Sequence, residues 1–157
     1  MKITLLAIGK TTDAYLQNGL EVYEKRLQHY VNYTRKELPD VRNVKSLPVE
    51  QLKIEEGKRL LSQLSGTDEL FLLDENGTVF SSKELAAFIR QKMLNSAKSL
   101  VFAIGGAYGF PEEAYRKAAG KISLSRLTFS HQMARLIFTE QLYRAFTIIK
   151  GEPYHHK

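Results

Sequence analysis

The sequence has no cysteine and no apolar run long enough to cross a membrane. The lack of cysteine excludes disulfide bonds, thiolate metal sites and cysteine nucleophiles, and it fits a reducing cytoplasm. A transmembrane helix needs about 20 apolar residues. The apolar start of the chain, Met1–Gly9, is too short even for a signal peptide. We therefore expect a cytoplasmic protein that has no membrane partner.

Negative charge is scarce in the last part of the chain. The 157 residues carry a formal net charge of +6 and suit a single domain, residues 1–157. Between residues 121 and 157 stand six lysines and arginines but only two acidic residues, Glu140 and Glu152. This imbalance indicates an anionic partner, although an exposed basic helix without a partner has the same composition.

Short apolar runs alternate with helical patterns along the chain. Strands are predicted at 3–8, 31–38, 70–73 and 100–104, and helices at 13–30, 49–64, 81–94 and 131–149. Such apolar strands are typical of a mostly parallel sheet with helices on both faces, so we predict an α/β fold. Ligands of these sheets bind beyond the carboxyl ends of the strands. Three loops are expected there: after Leu73, where Asp74–Gly77 predicts a turn, after Ile104, and at 124–129.

The loop after Ile104 is rich in glycine and reads Gly105-Gly106-Ala107-Tyr108-Gly109. Glycines after a buried strand let a ligand approach the backbone and its free N–H groups, although a plain tight turn has the same composition. The spacing differs from the dinucleotide-binding fingerprint, and the acidic residue expected ~20 positions later is missing. The sequence therefore disfavours a nucleotide-dependent oxidoreductase.

The segment Leu124-Ser125-Arg126-Leu127-Thr128-Phe129 alternates apolar and polar residues. One interpretation is an edge strand, with strand-like pieces at 122–124 and 127–129. The other is an irregular loop whose backbone forms the wall of a pocket for a flat heterocycle such as adenine. The sequence leaves both interpretations open.

Ser130 is a suitable cap for the final helix, predicted from His131 to about Ile149. His131 and Arg135 are four residues apart and share a face at the helix start. A helix N-terminus with an arginine attracts phosphate or carboxylate, and the arginine favours a neutral histidine that can accept a proton. A capped helix with a charged surface is the alternative without a function. The mostly apolar stripe of this helix is predicted to face the core or a partner subunit: Ala134, Ile137, Phe138, Gln141, Ala145 and Ile148.

The chain ends with Tyr154-His155-His156-Lys157, after Gly151-Glu152-Pro153 has terminated the helix. An aromatic ring beside histidines and a lysine suits the stacking of bases and contact with phosphate. A frayed tail without a function is the alternative.

The motifs of the second half, in this order and at this spacing, resemble the ribosomal RNA large-subunit methyltransferase H family. They are Phe102-Ala103-Ile104-Gly105-Gly106, the run 124–129, His131-Gln132-Met133-x-Arg135, Glu140-Gln141-x-Tyr143-Arg144-Ala145 and Gly151-Glu152-x-Tyr154-His155. The first strand, Tyr23-x-Lys25-Arg26 and Glu56-Gly57 are similar as well, so the resemblance covers the whole chain. Many members have proline where this chain has Ser130.

The resemblance implies a SPOUT-class methyltransferase with a C-terminal trefoil knot, which general fold rules argue against. It implies a homodimer with its site at the subunit interface and no metal. The reaction would transfer a methyl group from S-adenosylmethionine to N3 of a pseudouridine in a hairpin loop of 23S rRNA on the assembled ribosome. The implied cofactor residues are Leu73, Gly105, Leu124, Ser125, Arg126, Leu127, Thr128 and Phe129. The implied RNA-side residues are His131, Arg135, Tyr143, Arg144, Tyr154 and His155.

Methylation of the pseudouridine requires that the proton on N3 leaves. Either His131 or His155 accepts it, or water takes it once Arg135 has stabilised the developing negative charge. These three residues are the catalytic candidates, and the sequence does not choose between the routes. A non-catalytic RNA-binding protein of the ribosome is the other function to weigh, and its glycine loop would have no ligand to hold.

Overall fold

The structure, a computed structural model, describes residues 1–156, apart from the side chain of Val44. Lys157, expected in the phosphate-contacting tail, lies outside the described residues. Within residues 1–156, the strands are β1 (Lys2–Ile8), β2 (Asn32–Leu38), β3 (Asp68–Val79), β4 (Ser99–Ile104) and β5 (Gly120–Ser123). The helices are α1 (Ala14–Leu27), α2 (Val49–Leu61), α3 (Ser82–Leu94), α4 (Glu112–Lys117) and α5 (His131–Lys150), with one 3-10 turn at Val44–Ser46.

The strands form one parallel sheet in the order β2-β1-β4-β3-β5. Every residue of β4, the central strand of the sheet, is buried, as the apolar run at 100–104 requires. Successive side chains of β1 enter opposite cores, Leu5 under α1, α3 and α5 and Leu6 under α2 and α4. The predicted α/β fold, with helices on both faces of a parallel sheet, is confirmed.

Serine side chains cap the starts of α3 and α5. At the start of α3, the Ser81 hydroxyl accepts the Glu84 N–H at 3.2 Å and the Glu84 carboxylate accepts the Ser81 N–H at 2.6 Å. At the start of α5, the Ser130 hydroxyl accepts the Met133 N–H at 3.1 Å, so the helix begins at His131 without the proline of many family members. Gly151, with φ of +72°, ends α5 in a left-handed conformation that suits glycine.

The apolar stripe of α5 packs chiefly into the core. Phe138 and Ala145 are fully buried in the core under α1, α3 and α5, and Ala134 and Ile148 pack against its edge. Gly19 of α1 brings the two helices together, because a Cβ there would lie only 2.9 Å from the side chain of Leu136.

The prediction that the third strand stops at Leu73 is wrong. β3 continues to Val79, and its pairing with β5 shifts from Leu73 to Thr78, so that residues 74–77 bulge out of the ladder. The Asp74 carboxylate accepts the Asn76 N–H at 2.8 Å and stabilises the bulge. Gly77 lies against the backbone of β5, where a Cβ would approach to 2.6 Å. The long-range pairing with β5 therefore outweighs the local turn signal.

The segment between β5 and α5 crosses the carboxyl edge of the sheet. β5 is an edge strand, whereas α5 begins beside the end of β1, where the Gln132 side chain donates to the Lys10 carbonyl at 2.9 Å. Residues 124–130 therefore run past the carboxyl ends of the strands that lie between β5 and β1.

Candidate active site

A cavity of about 550 Å³ opens at the carboxyl end of β4 and beside the bulge of β3, at the edge of the sheet where ligands of parallel sheets bind. The three loops that the sequence places at this edge meet there. They are the bulge after Leu73, the glycine loop after Ile104 and the segment at 124–130. Of the residues expected to hold the cofactor, the following line the cavity: Leu73, Gly105, Leu124, Ser125, Leu127, Thr128 and Phe129. Arg126 is exposed and does not line it.

The glycine loop at 105–109 turns back on itself at the floor of the cavity. Gly106 and Gly109 form an antiparallel bridge, in which the Gly109 N–H donates to the Gly106 carbonyl at 3.2 Å. Gly109 has φ of +85°, and a Cβ on Gly105 would lie 3.0 Å from the Gly109 carbonyl. The tight turn therefore needs glycine at both places and presents bare backbone to the cavity.

The wall at 124–130 is an irregular loop held by its own serines. The Ser123 hydroxyl donates to the Ser125 carbonyl at 2.9 Å, and the Ser125 hydroxyl accepts the Leu127 N–H at 2.9 Å. The strand-like piece expected at 127–129 is wrong, since β5 ends at Ser123 and serine side chains take over part of the backbone hydrogen bonding. Of the two interpretations of this segment, the irregular loop is the correct one.

The bulge on β3 adds an acidic edge that sequence reasoning missed. Asp74 and Glu75 line the cavity, and so does Tyr115 of α4, whose hydroxyl donates to the Asp74 carboxylate. Burial and these carboxylates raise the pKa of Tyr115, which keeps the phenol protonated as a donor. The signal available in the sequence was the loop after Leu73, but nothing local pairs Asp74 with a tyrosine 41 residues away.

His131 lies at the edge of the cavity, in the first turn of α5. Its imidazole is half-buried, and burial together with the positive charge of Arg135 lowers its pKa below the ordinary value of 6.5. The expectation that the arginine favours a neutral His131 agrees with this placement. A neutral imidazole beside a cavity can accept a proton.

Arg135, expected to share a face with His131 at the helix start, points into the protein. Its side chain is fully buried. Nη1 donates to the Gly9 carbonyl at 2.8 Å and Nη2 to the Ile8 carbonyl at 2.7 Å. Nη1 also lies 3.1 Å from the Glu37 carboxylate on β2. The guanidinium thus joins α5 to the ends of β1 and β2, a placement that does not agree with the expected contact of Arg135 with RNA or substrate.

A second cluster of expected site residues surrounds the other end of α5. The Arg144 guanidinium donates to the Glu140 carboxylate at 2.6 Å, lies 3.2 Å from His155 Nδ1 and covers the Tyr154 ring at 4.7 Å. The Tyr154 hydroxyl donates to Glu140 at 2.9 Å, and the Tyr143 ring packs edge-on against Tyr154. The C-terminal residues 154–155 are therefore fixed against the helix. We call these five residues the tail cluster.

The cavity and the tail cluster are far apart in one chain. His131 and Arg144 are separated by 13 residues of one continuous helix, which corresponds to about 20 Å. A single chain therefore does not bring His131 and His155 to the same substrate atom.

Among residues 1–156, no cluster of three or more histidine or acidic side chains is arranged to hold a metal ion. In the same described range, no helix combines the length and apolar character of a membrane span.

The chain matches known proteins over its whole length. Residues 1–155 fit the family described as Predicted SPOUT methyltransferase. The chain is 54% identical over 157 residues to the Ribosomal RNA large subunit methyltransferase H of Flavobacterium johnsoniae, with 100% of both chains covered. It is 48% identical to the protein of the same name from Parabacteroides distasonis, again with 100% of both chains covered.

A solved structure, that of a probable methylase family protein from Haemophilus influenzae Rd KW20, is similar with a TM-score of 0.51. The match covers 99% of this chain and 70% of that chain at 11% identity, so it concerns the fold alone. Fold, full-length relatives and family match agree with the resemblance in the motifs: the chain belongs to the SPOUT methyltransferase family.

Proposed function

We propose that the protein is a 23S rRNA methyltransferase that transfers a methyl group from S-adenosylmethionine to N3 of pseudouridine 1915 on the assembled ribosome. The observation that carries the proposal is the cavity at 105–109 and 124–130, formed in a chain about half identical to large-subunit rRNA methyltransferases. Ribosomes are cytoplasmic in bacteria such as these relatives, and the proposal places the protein there.

The cavity fits a nucleoside cofactor in size and chemistry. Its volume lies within the ~300–1,000 Å³ of ligand pockets. The 124–129 wall offers backbone groups and apolar side chains to a flat base, and the glycine loop admits close approach. S-adenosylmethionine supplies an electrophilic methyl group on a sulfonium. For the protein, catalysis is then chiefly the placing of the two reactants in line by the loops that line the cavity.

We assign His131 as the base that removes the N3 proton. It is the histidine that lines the cavity, and its lowered pKa keeps the imidazole neutral near pH 7. The positive charge of the buried Arg135 disfavours the imidazolium form of His131. His155 is held by Arg144 in the tail cluster and belongs to the RNA side.

The tail cluster is proposed to bind RNA, with a second copy of the chain beside it. Tyr143, Arg144, Tyr154 and His155 combine stacking surfaces with positive charge. Since they lie about 20 Å along α5 from His131, a homodimer with antiparallel α5 helices would place the tail cluster of one subunit at the cavity of the other. Tyr15 and Val22 of α1 are exposed and offer apolar surface for this contact.

Two measurements test the binding of the cofactor and the binding of RNA. Calorimetric titration should show binding of S-adenosylmethionine and none of NADH, and the reverse would indicate an oxidoreductase. RNA affinity should fall steeply as salt rises, because phosphate contacts release counterions. An affinity that does not change with salt would contradict the basic tail as the RNA-binding surface.

A further inference from the structure

Glu56 in α2 is a buried carboxylate with an unsatisfied oxygen. The residue is only 7% exposed, and Oε1 makes no hydrogen bond within the described part of the chain. Arg59, the positive group whose charge acts on Glu56, donates instead to the carbonyls of Pro39 and Asp40 at 2.8 and 3.0 Å. A buried carboxyl without a hydrogen-bond partner weakens the folded state. We therefore expect this carboxyl to have a partner in another state of the protein.

The carboxylate of Glu56 lies against the glycine loop. A Cβ on Gly106 would come within 2.3 Å of Oε2 and 2.7 Å of Oε1, so the carboxylate occupies the space that a side chain there would need. The next residue of α2, Gly57, contacts Pro111 in the same way, at 2.3 Å from a Cβ to the proline ring. Helix α2 therefore supports the loop at 106–111 from one side, while Gly106 lines the cavity on the other.

The loop has backbone donors to match this acceptor. Gly109 donates to Gly106, but Ala107 and Tyr108 donate no hydrogen bond to any described residue. Burial, and then the negative charge of Asp40, raise the pKa of Glu56, as expected for a carboxyl that lacks such donors. A movement of the loop that brings these N–H groups within hydrogen-bond distance would give the carboxylate its missing partners.

Resting on the proposed function, we propose that Glu56 is the positioning residue of the cofactor loop. When S-adenosylmethionine occupies the cavity, backbone N–H groups of the loop donate to the Glu56 carboxylate, which fixes the loop in its bound conformation. The carboxylate is then satisfied in the complex and unsatisfied in the free protein. Glu56 thus contributes to cofactor affinity without touching the cofactor.

A positioning role and a packing role predict opposite effects on stability. Glu56→Leu removes a buried unpaired carboxyl, which leaves the free protein as stable as before or more so. The same change should weaken S-adenosylmethionine binding about 10-fold. Glu56→Gln keeps the shape and one acceptor oxygen, so its affinity should lie between those of Glu56→Leu and the natural protein. Glu50→Gln, on the same helix with a side chain 79% exposed, is the matched control and should change neither quantity.

The experiment measures the dissociation constant by calorimetry, the Tm of the free protein, and hydrogen exchange of residues 105–109 with and without S-adenosylmethionine. We expect cofactor to protect the loop in the natural protein and much less in Glu56→Gln. Unchanged affinity in both variants, or affinity that falls only in step with Tm, would overturn the inference and leave the proposed function intact. Failure of the natural protein itself to bind S-adenosylmethionine would instead overturn the proposed function, and this inference with it.

Discussion

At the scale of single residues, Arg135 differs most from its expected role. Spacing alone puts it beside His131, and the two are indeed neighbours, but the guanidinium points inward to the Ile8 and Gly9 carbonyls. These acceptors are more than 120 residues away in sequence, so no local pattern reveals them. Arg135 holds the start of α5, and with it His131, against the sheet.

Replacement of Arg135 by Met should be strongly destabilising. The change leaves two buried carbonyls without donors and removes a partner of Glu37, which together should cost about 3–5 kcal/mol in the free energy of unfolding. Arg116→Met, which removes an exposed pair with Glu112, is the control and should cost less than about 0.5 kcal/mol. Urea unfolding measures both. If both changes lowered the free energy of unfolding by the same small amount, Arg135 would not hold α5 against the sheet and would be available to a ligand.

For His131 as the proposed base, the lowered pKa predicts how the rate of methylation depends on pH. A histidine base works in its neutral form, so the single-turnover rate should rise with pH through a pKa below 6.5 and then stay constant. His131→Ala should lose this inflection and slow the reaction ~100-fold or more. His155→Ala should keep the inflection, whatever its effect on RNA binding. A natural pH profile in His131→Ala would exclude His131 as the base.

At the scale of elements, two serine caps allow the effect of a helix cap on stability to be distinguished from its effect on cofactor binding. Ser81 caps α3 away from the cavity, whereas Ser130 caps α5 and lines the cavity. Each Ser→Ala change should lower the free energy of unfolding by about 1 kcal/mol, because one helix N–H loses its acceptor. Only Ser130→Ala should also weaken binding of S-adenosylmethionine, as measured by calorimetry. A similar loss of affinity in Ser81→Ala would show that the effect comes from global stability.

The elements also show which parts of the fold the sequence can predict. The apolar run of β4 and the Ser130 cap of α5 depend on neighbouring residues, and both were predicted correctly. The continuation of β3 to Val79 depends on β5, about 45 residues later, and was missed. The path of 124–130 across the sheet edge, and the Asp74–Tyr115 contact, likewise need the assembled sheet. Local sequence signals therefore predict the helices and strands and most of the residues that line the cavity. The end of β3 and the path of residues 124–130 depend on long-range contacts.

At the scale of the whole molecule, the separation of cavity and tail cluster predicts complementation between subunits. His131→Ala and Arg144→Gln should each impair both sites of the proposed symmetric dimer. After subunits of the two variants are mixed and exchanged, half of the dimers carry both changes, and each of these has one intact site. About a quarter of the natural activity should then return. If affinity tagging shows that mixed dimers have formed but no activity returns, a complete site lies within one chain.

The central claim is that this chain methylates a pseudouridine of 23S rRNA. Mass spectrometry of 23S rRNA from a strain that lacks the gene, with and without the protein restored, tests it most directly. We predict that the methyl mark at N3 of pseudouridine 1915 is absent without the protein, returns with the natural chain and does not return with His131→Ala. An unchanged methyl mark in the deletion strain, or no mark after restoration, would contradict the account.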